Sequence, residues 1–230
     1  MTDYKTVLLD IDQTILDFNT AETISLTEAL NSFGIKADRT VISTYHEIND
    51  RLWKDFELGT VTKDELKILR FERTLKKCNI KLDADKLQKK YTDCLSEQGI
   101  LLDGAREFLD SLFLTAELYA VTNGISYVQK GRFAKADINK YFKGVFISED
   151  VGVGKPDKRY FEYVLSKVNE KDKSRIIVVG DSLTSDIKGG LSVGLDTILY
   201  DVTKTKKADG IIPKYVASSY GEILDIIKQK

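Results

Sequence analysis

The chain has 230 residues, of which 42% are hydrophobic and 31% are charged, a composition typical of a globular protein with a sizeable core. Its 35 basic and 36 acidic side chains nearly cancel, so no general basic field favours a nucleic-acid polymer as partner. The two cysteines, Cys78 and Cys94, lack metal-site spacing and are expected to be reduced. No signal peptide and no run of ~18 apolar residues is present, so we expect a cytoplasmic protein without a membrane partner.

Five short, nearly continuous apolar runs are predicted to be buried parallel strands. In chain order they are 5–12, 118–122, 144–148, 175–180 and 196–200. Helical patterns lie between the later strands, for example at 104–113, 157–168 and 184–193. This alternation predicts an α/β fold with a doubly wound parallel sheet.

One segment, 17–98, interrupts the alternation because it shows only helical patterns. Four helices are predicted there, at 19–33, at 40–58, from the capping box 62–65 toward Cys78, and at 84–98. Gly34, Gly59 and Gly99 follow as expected for helix ends. We therefore predict a core formed by 1–16 and 99–230, with 17–98 as a separate helical cap that serves as a lid.

Polar residues follow the predicted strands at their carboxyl ends, where α/β sheets bind ligands. Acids, a lysine and hydroxyl or amide groups are predicted to converge on this edge of the sheet: Asp10, Asp12, Thr14, Thr122, Asn123, Lys155, Asp181 and Asp186. Each short motif is weak alone, since Asp-x-Asp is often a turn and Gly154-Lys155 is often a surface loop. Together and in order, they indicate a functional site.

This set of residue types suits phosphoryl transfer. Clustered carboxylates repel one another unless a cation joins them, and hard oxygen ligands favour Mg²⁺. An aspartate can attack phosphorus, while a lysine and amide groups balance the charge of the transferring group. His46 is the single histidine and lies within a predicted helix, which excludes a histidine phosphatase mechanism. The segment around Gly154-Lys155 fits neither a Walker A loop nor a dinucleotide fingerprint.

Four motifs in this order resemble the signature motifs of haloacid dehalogenase-like hydrolases. They are Asp10-x-Asp12-x-Thr14, Thr122-Asn123-Gly124, Lys155-Pro156 and Gly180-Asp181-x-x-x-x-Asp186. The helical insert between the first two resembles the C1-type cap of that family. The resemblance implies that Asp10 is the nucleophile and a metal ligand. It also implies that Asp12 is the general acid/base and that its backbone carbonyl binds the metal.

The same resemblance implies roles for the later motifs. Thr122 and the Asn123 amide would hold the phosphoryl group, and Lys155 would tie that group to the nucleophile. Asp181 would be a further Mg²⁺ ligand and Asp186 would support the metal shell. The implied enzyme is a phosphatase acting on small phosphate esters.

Further segments resemble bacterial pyrimidine 5′-nucleotidases of this superfamily. They are 49–59, 70–72 and 147–156. The resemblance implies a nucleoside 5′-monophosphate as substrate, and the aromatic rings of Phe18, Trp53 and Phe56 are candidates for stacking on the base. Packing between the cap helices is the alternative role of these rings. The alternative functions are a sugar-phosphate phosphatase, a phosphomutase resembling β-phosphoglucomutase, and a catalytically silent binding module.

Overall fold

The computed structural model of the protein describes residues 4–207 and 210–228. The chain divides into two compact units, one formed by Met1–Phe18 with Gly99–Lys230 and the other by Asn19–Gln98. We call the first the sheet unit and the second the helical unit.

The sheet unit contains one six-stranded sheet in which every pair of neighbouring strands is parallel. In chain order its strands are β1 (Thr6–Leu9), β2 (Glu117–Thr122), β3 (Phe142–Ile147), β4 (Ile176–Gly180), β5 (Asp196–Tyr200) and β6 (Tyr215–Ala217). The spatial order is β3-β2-β1-β4-β5-β6, so the chain starts in the middle and winds outward in both directions. The predicted α/β fold with a doubly wound parallel sheet is confirmed.

Helices cover both faces of the sheet. The α-helices are numbered along the whole chain. Those of the sheet unit are α5 (Ala105–Phe113), α6 (Ser126–Ala136), α7 (Ser148–Val151), α8 (Lys158–Lys167), α9 (Lys188–Ser192) and α10 (Tyr220–Lys228). Val7 and Leu9 pack into one apolar cluster and Leu8 into another, as alternating side chains of a strand must. The first cluster includes residues of α5, α6 and α10, and the second includes residues of α8. Because both faces are covered, β1, β2, β4 and β5 are largely buried and read as continuous apolar runs, whereas the edge strand β3 carries exposed residues at alternate positions.

The helical unit contains α1 (Phe18–Ser32) from Asn19 onward, followed by α2 (Arg39–Glu57), α3 (Lys63–Lys77) and α4 (Ala84–Ser96). The side chain of Thr62 caps α3, and Glu65 reaches back to the Thr62 backbone, which completes the predicted capping box. Buried aromatic rings pack α2, α3 and α4 together, with Phe71 lying 5.4 Å from Tyr45 and 5.2 Å from Tyr91 between ring centroids.

A buried polar cluster lies beside these rings. The Glu22 carboxylate contacts the His46 ring nitrogen Nδ1 at 2.6 Å and accepts a hydrogen bond from the Asn49 amide at 2.7 Å. Arg70 donates to Asn49 at 3.3 Å and lies over the Tyr91 ring. His46 therefore packs within the helical unit, where it contacts Glu22 and the Tyr45 ring.

Within the described ranges 4–207 and 210–228, no helix combines the length and apolar character needed to cross a membrane. Both cysteines are free.

Candidate active site

The candidate site lies at the carboxyl edge of the sheet unit. The central strands β1, β2 and β4 are parallel neighbours, so the residues that follow them meet at the same edge. Asp10 follows β1, Thr122 ends β2 and Asp181 follows β4. Lys155 comes from the loop between α7 and α8. The predicted convergence of these motifs is therefore present in the structure.

Asp10 is held from two sides. Its Oδ1 accepts a hydrogen bond from Lys155 Nζ at 2.6 Å, and its Oδ2 accepts one from the Thr14 hydroxyl at 3.0 Å. The backbone N–H of Asp10 donates to the carbonyl of Val179 in β4 at 2.9 Å. Asp10 is buried at the strand end, with 5% of its surface exposed, and these contacts fix its orientation.

Lys155 lies at the centre of the cluster. Its ammonium group donates to Asp10, to Asp186 at 2.6 Å and to the Val121 carbonyl at 2.9 Å, so all three N–H bonds are used. The Asn123 side chain fixes the Lys155 backbone, accepting from its N–H and donating to its carbonyl, each at 2.8 Å. The Asn123 side chain thus positions Lys155, and a phosphoryl contact from the Asn123 amide stays a prediction.

Asp186 reaches the cluster because Gly180 has no side chain. A Cβ at Gly180 would lie 2.3 Å from the Asp186 carboxylate, a distance that no packing accepts. Asp186 also accepts a hydrogen bond from the Ser182 N–H at 3.1 Å. Asp186 therefore contacts Lys155 directly, in addition to any role beside a metal.

The carboxylates carry more negative charge than one lysine neutralises. Burial, followed by the charge of Asp186, raises the pKa of Asp10 to about 7 although Lys155 acts in the opposite direction. Burial raises the pKa of Asp186 as well, again against the effect of Lys155. Burial and the charge of Asp10 raise the pKa of Asp181. All three shifts indicate a site that a further positive charge would stabilise.

The geometry fits a hard divalent cation. Asp10, Asp181 and Asp186 each offer a carboxylate oxygen within 4.8 Å of the others. An all-oxygen donor set of this size suits Mg²⁺, which binds one or two carboxylates and keeps several water ligands. The acidic cluster is therefore suited to hold such an ion beside Lys155.

Lys206 contacts this cluster although nothing in the sequence motifs pointed to it. Its ammonium group lies 2.8 Å from Asp181 Oδ2 and 2.6 Å from the Asp181 carbonyl oxygen. It comes from the loop that follows β5, 25 residues after Asp181. Lys206 therefore supplies positive charge to the cluster through Asp181.

The Thr122 hydroxyl is poised as a hydrogen-bond donor. Its oxygen accepts from the Gly124 N–H at 3.1 Å and from the Gln129 side-chain amide at 2.9 Å. Two accepted bonds occupy both lone pairs of the hydroxyl oxygen, so its hydrogen is directed toward another acceptor. A phosphoryl oxygen is the kind of acceptor that such a donor fits.

Asp12 is bound by two residues that sequence reasoning missed. Its Oδ1 pairs with the Arg132 guanidinium, and its Oδ2 accepts a hydrogen bond from Gln129 Nε2 at 2.9 Å. Both partners lie on α6, a helix that the sequence patterns did not reveal. Gln129 and Arg132 lie one helical turn apart just after the Thr122 motif, a spacing that places them on one helix face but does not indicate their contact with Asp12.

The three aromatic residues predicted to stack on a base have defined neighbours. Phe18 lies in the sheet unit, where the Arg132 guanidinium lies 5.6 Å from its ring centroid. Trp53 and Phe56 lie on α2 and contact each other edge to face at 5.7 Å. All three are only partly buried. Their contact with a substrate stays a prediction.

Comparison with known proteins places the chain in a family. The family described as haloacid dehalogenase-like hydrolase matches residues 4–194. Pyrimidine 5′-nucleotidase PynA of Streptococcus pneumoniae is 38% identical, over 97% of this chain and 95% of PynA. Pyrimidine 5′-nucleotidase YjjG of Escherichia coli is 29% identical, over 96% of each chain.

A solved structure agrees with these matches. The crystal structure of the HAD-hydrolase YfnB of Bacillus subtilis, bound to magnesium, has a TM-score of 0.90 and 38% identity. The match covers 97% of this chain and 98% of that one. The family match spans the four motifs and the helical segment between the first two. The fold agrees with that of YfnB over nearly the whole chain. The chain therefore belongs to the haloacid dehalogenase-like hydrolases.

Proposed function

We propose that this hydrolase releases phosphate from nucleoside 5′-monophosphates, preferring pyrimidine bases, through a phosphorylated Asp10 and with Mg²⁺ as cofactor. That it is a phosphoric monoester hydrolase follows from its family and its relatives. The observation that carries the proposal is the buried bridge from Asp10 through Lys155 to Asp186, next to Asp181 and the Thr122 donor.

Asp10 is suited to be the attacking group. Lys155 and Thr14 each hold one of its oxygens, so the carboxylate is fixed rather than free to rotate. A fixed nucleophile reduces the entropy that the reaction has to overcome. In the first step Asp10 attacks phosphorus, the bond from phosphorus to the ester oxygen breaks, and an aspartyl phosphate forms.

Asp12 is suited to move the protons of both steps. In the first it gives a proton to the leaving ester oxygen, which departs as an alcohol. In the second it takes a proton from the water that attacks phosphorus, which releases phosphate and restores the Asp10 carboxylate. Asp12 lies two residues beyond Asp10, and its side chain is 28% exposed, so a substrate can reach it.

The transferring group needs positive charge and hydrogen-bond donors around it. The Lys155 ammonium supplies positive charge, and the Thr122 hydroxyl supplies a hydrogen-bond donor. Asp10, Asp181 and the Asp12 carbonyl would hold Mg²⁺, with Asp186 supporting this shell. When bound, the ion would neutralise charge on the phosphoryl oxygens and relieve the repulsion among the carboxylates.

The nucleotide preference is supported by two relatives named pyrimidine 5′-nucleotidase, PynA and YjjG, which match nearly the full chain. The residues at the sheet edge act on the phosphoryl group, which all phosphate monoesters share. Selectivity among esters must therefore come from residues that contact the alcohol part. We propose Phe18, Trp53 and Phe56 for that role.

The experiment that tests this function compares substrates. We expect kcat/KM with Mg²⁺ to be higher for uridine and thymidine 5′-monophosphates than for glucose 6-phosphate and phosphoglycolate. Asp10→Asn, nearly isosteric but a poor nucleophile, is the matched inactive control. A higher kcat/KM for either non-nucleotide would overturn the nucleotidase assignment and leave the phosphatase assignment standing.

A further inference from the structure

We infer that Gln129 and Arg132 are positioning residues that hold Asp12 in place for proton transfer. The inference rests on the proposed function, because it concerns the residue proposed there as general acid/base. Neither residue belongs to the four motifs, and both act through another side chain rather than on the substrate. Together with Asp12 they form what we call the α6 clamp.

The α6 clamp holds both oxygens of one carboxylate. Arg132 Nη1 pairs with Asp12 Oδ1, and Gln129 Nε2 donates to Asp12 Oδ2. A carboxylate with a single donor can rotate about its Cβ–Cγ bond, whereas two donors on different oxygens fix its plane. Arg132 Nη1 also donates to Gln129 Oε1 at 3.2 Å, so the two donors fix each other.

Burial makes the donors rigid while Asp12 stays accessible. Arg132 is 0% exposed and Gln129 is 1% exposed, but the Asp12 side chain is 28% exposed. A buried guanidinium is costly unless a carboxylate accompanies it, and Arg132 pairs with the carboxylate of Asp12. The clamp therefore holds Asp12 from the inside of the sheet unit and leaves its outer side open to a substrate.

Gln129 also connects Asp12 with the proposed phosphoryl site. Its amide nitrogen donates to Asp12 Oδ2 and to the Thr122 hydroxyl oxygen, both at 2.9 Å. One amide thus sets the positions of the acid/base group and of the hydroxyl donor relative to each other. Gly124 permits this arrangement, since a Cβ there would lie 2.6 Å from the Gln129 Cγ atom.

The chemistry predicts which kind of phosphate ester is hydrolysed more slowly when the α6 clamp is lost. An alkyl phosphate needs a proton on its leaving oxygen, because an alkoxide is a poor leaving group. A 4-nitrophenyl phosphate does not, because its phenolate leaves without help. A displaced Asp12 should therefore slow the first ester strongly and the second weakly. A residue that merely stabilises the fold should slow both alike.

The test uses the full-length protein with Mg²⁺ and two substrates, uridine 5′-monophosphate and 4-nitrophenyl phosphate. A general acid/base group contributes ~10²–10⁴-fold, so Arg132→Met is expected to lower kcat on the nucleotide by ~10–100-fold. We expect at least ~5-fold less effect on the aryl ester, whose leaving step needs little proton transfer. Lys130→Met is the matched control, since Lys130 lies on the same helix with its side chain 66% exposed.

A double-mutant cycle separates positioning from other roles. If Arg132 acts through Asp12, Arg132→Met should lower nucleotide turnover by less than ~2-fold once Asp12 is already Asn. Equal losses on the two esters, or additive losses in the cycle, would overturn the inference. If thermal unfolding shows that Arg132→Met does not fold, Gln129→Met carries the same test; because Gln129 also holds Thr122, both esters should lose activity, and the nucleotide should lose more.

The proposed function fails in a different way. Lack of hydrolysis of both esters by the parent protein would overturn that function and the inference with it. Hydrolysis of both by the parent, followed by equal losses in the variants, would overturn the inference alone.

Discussion

Replacing Lys155 by methionine tests whether this ammonium group neutralises the buried carboxylates. The side chain is 3% exposed, and its three N–H bonds go to Asp10, Asp186 and the Val121 carbonyl. Methionine fills a similar space but donates none of these bonds. Asp10 and Asp186 would then face each other without the charge that joins them.

The expected loss of stability is large. Removing one partner of a buried ion pair costs about 3–5 kcal/mol, because the remaining charge is buried without compensation. For a protein of this size, 1 kcal/mol corresponds to a Tm shift of about 2–4 °C. We therefore expect Lys155→Met to lower Tm by about 6–20 °C at pH 8 in the presence of a chelator.

The loss should shrink at acid pH. In the parent, the pKa of Asp10 is raised from 3.8 to about 7, so the folded state binds extra protons between these pH values. The stability of the parent therefore falls as pH rises through that window, by at most about 4 kcal/mol. Without Lys155 the folded-state pKa of Asp10 rises further. Protonation of Asp10 at acid pH therefore stabilises the folded variant more than the folded parent. The Tm difference should be largest at pH 8 and smallest near pH 5.

The assay is thermal unfolding followed by circular dichroism at both pH values, with chelator and then with Mg²⁺. Bound cation should restore part of the loss, since ligand at 100 times its Kd contributes about 2.7 kcal/mol. Lys158→Met is the matched control, because Lys158 is 60% exposed and forms only a surface pair with Glu162. An equal Tm loss at both pH values, or a loss no larger than that of the control, would refute the reasoning.

Four further substitutions test other parts of the structure. Asp181→Ala should weaken Mg²⁺ binding at least ~10-fold in calorimetric titration. Loss of a metal ligand costs more binding free energy than about 1.4 kcal/mol, which corresponds to a tenfold change in Kd. Unchanged affinity would exclude Asp181 as a ligand. Contact with Glu22 raises the pKa of His46, so this contact stabilises the fold at low pH and is lost as pH rises through that pKa. His46→Gln should therefore cost about 1.5–3 kcal/mol at pH 6 in urea unfolding and much less at pH 9; a cost independent of pH would contradict this. Trp53→Leu and Phe56→Leu should each lower kcat/KM for uridine 5′-monophosphate by ~5–150-fold, as expected for the loss of one stacking contact with the base, and leave kcat/KM for phosphoglycolate unchanged. Equal losses of kcat/KM on both substrates would show that these rings only pack against neighbouring residues.

Most of the sheet was predictable because β1, β2, β4 and β5 are largely buried on both faces. Five of its strands read as continuous apolar runs, and the residues after them gather at one edge by the geometry of parallel pairing. The sixth, Tyr215–Ala217, has only three residues and lies at the edge of the sheet, so it leaves no recognisable pattern.

Some local differences have physical causes that a pattern does not contain. The predicted first strand, 5–12, ends at Leu9, and the chain then turns with Gln13 at a φ of 60°. The predicted helix 184–193 begins as a π-helical turn, Leu183–Ile187, in which the Ile187 N–H donates to the Ser182 carbonyl. This wider turn accompanies the hydrogen bond from the Ser182 N–H to the Asp186 carboxylate.

The α6 clamp could not be read from periodicity. Helix α6 buries Gln129 and Arg132 together with Val128 and Phe133, so its inner face is not an apolar stripe. Gln129 and Arg132 meet Asp12 across 117 and 120 residues of chain. Pairings of this kind depend on the tertiary structure, whereas the four motifs depend only on short spacings.

The most direct test of the proposed mechanism is to trap the phosphoryl group on the protein. During turnover of a nucleoside 5′-monophosphate with Mg²⁺, rapid quenching followed by borohydride reduction should convert the acyl phosphate at position 10 into homoserine. Mass spectrometry of the peptide containing Asp10 is predicted to show this product in the parent and to lack it in Asp10→Asn. Homoserine at another aspartate, or turnover of Asp10→Asn within tenfold of the parent, would contradict Asp10 as the group that attacks phosphorus.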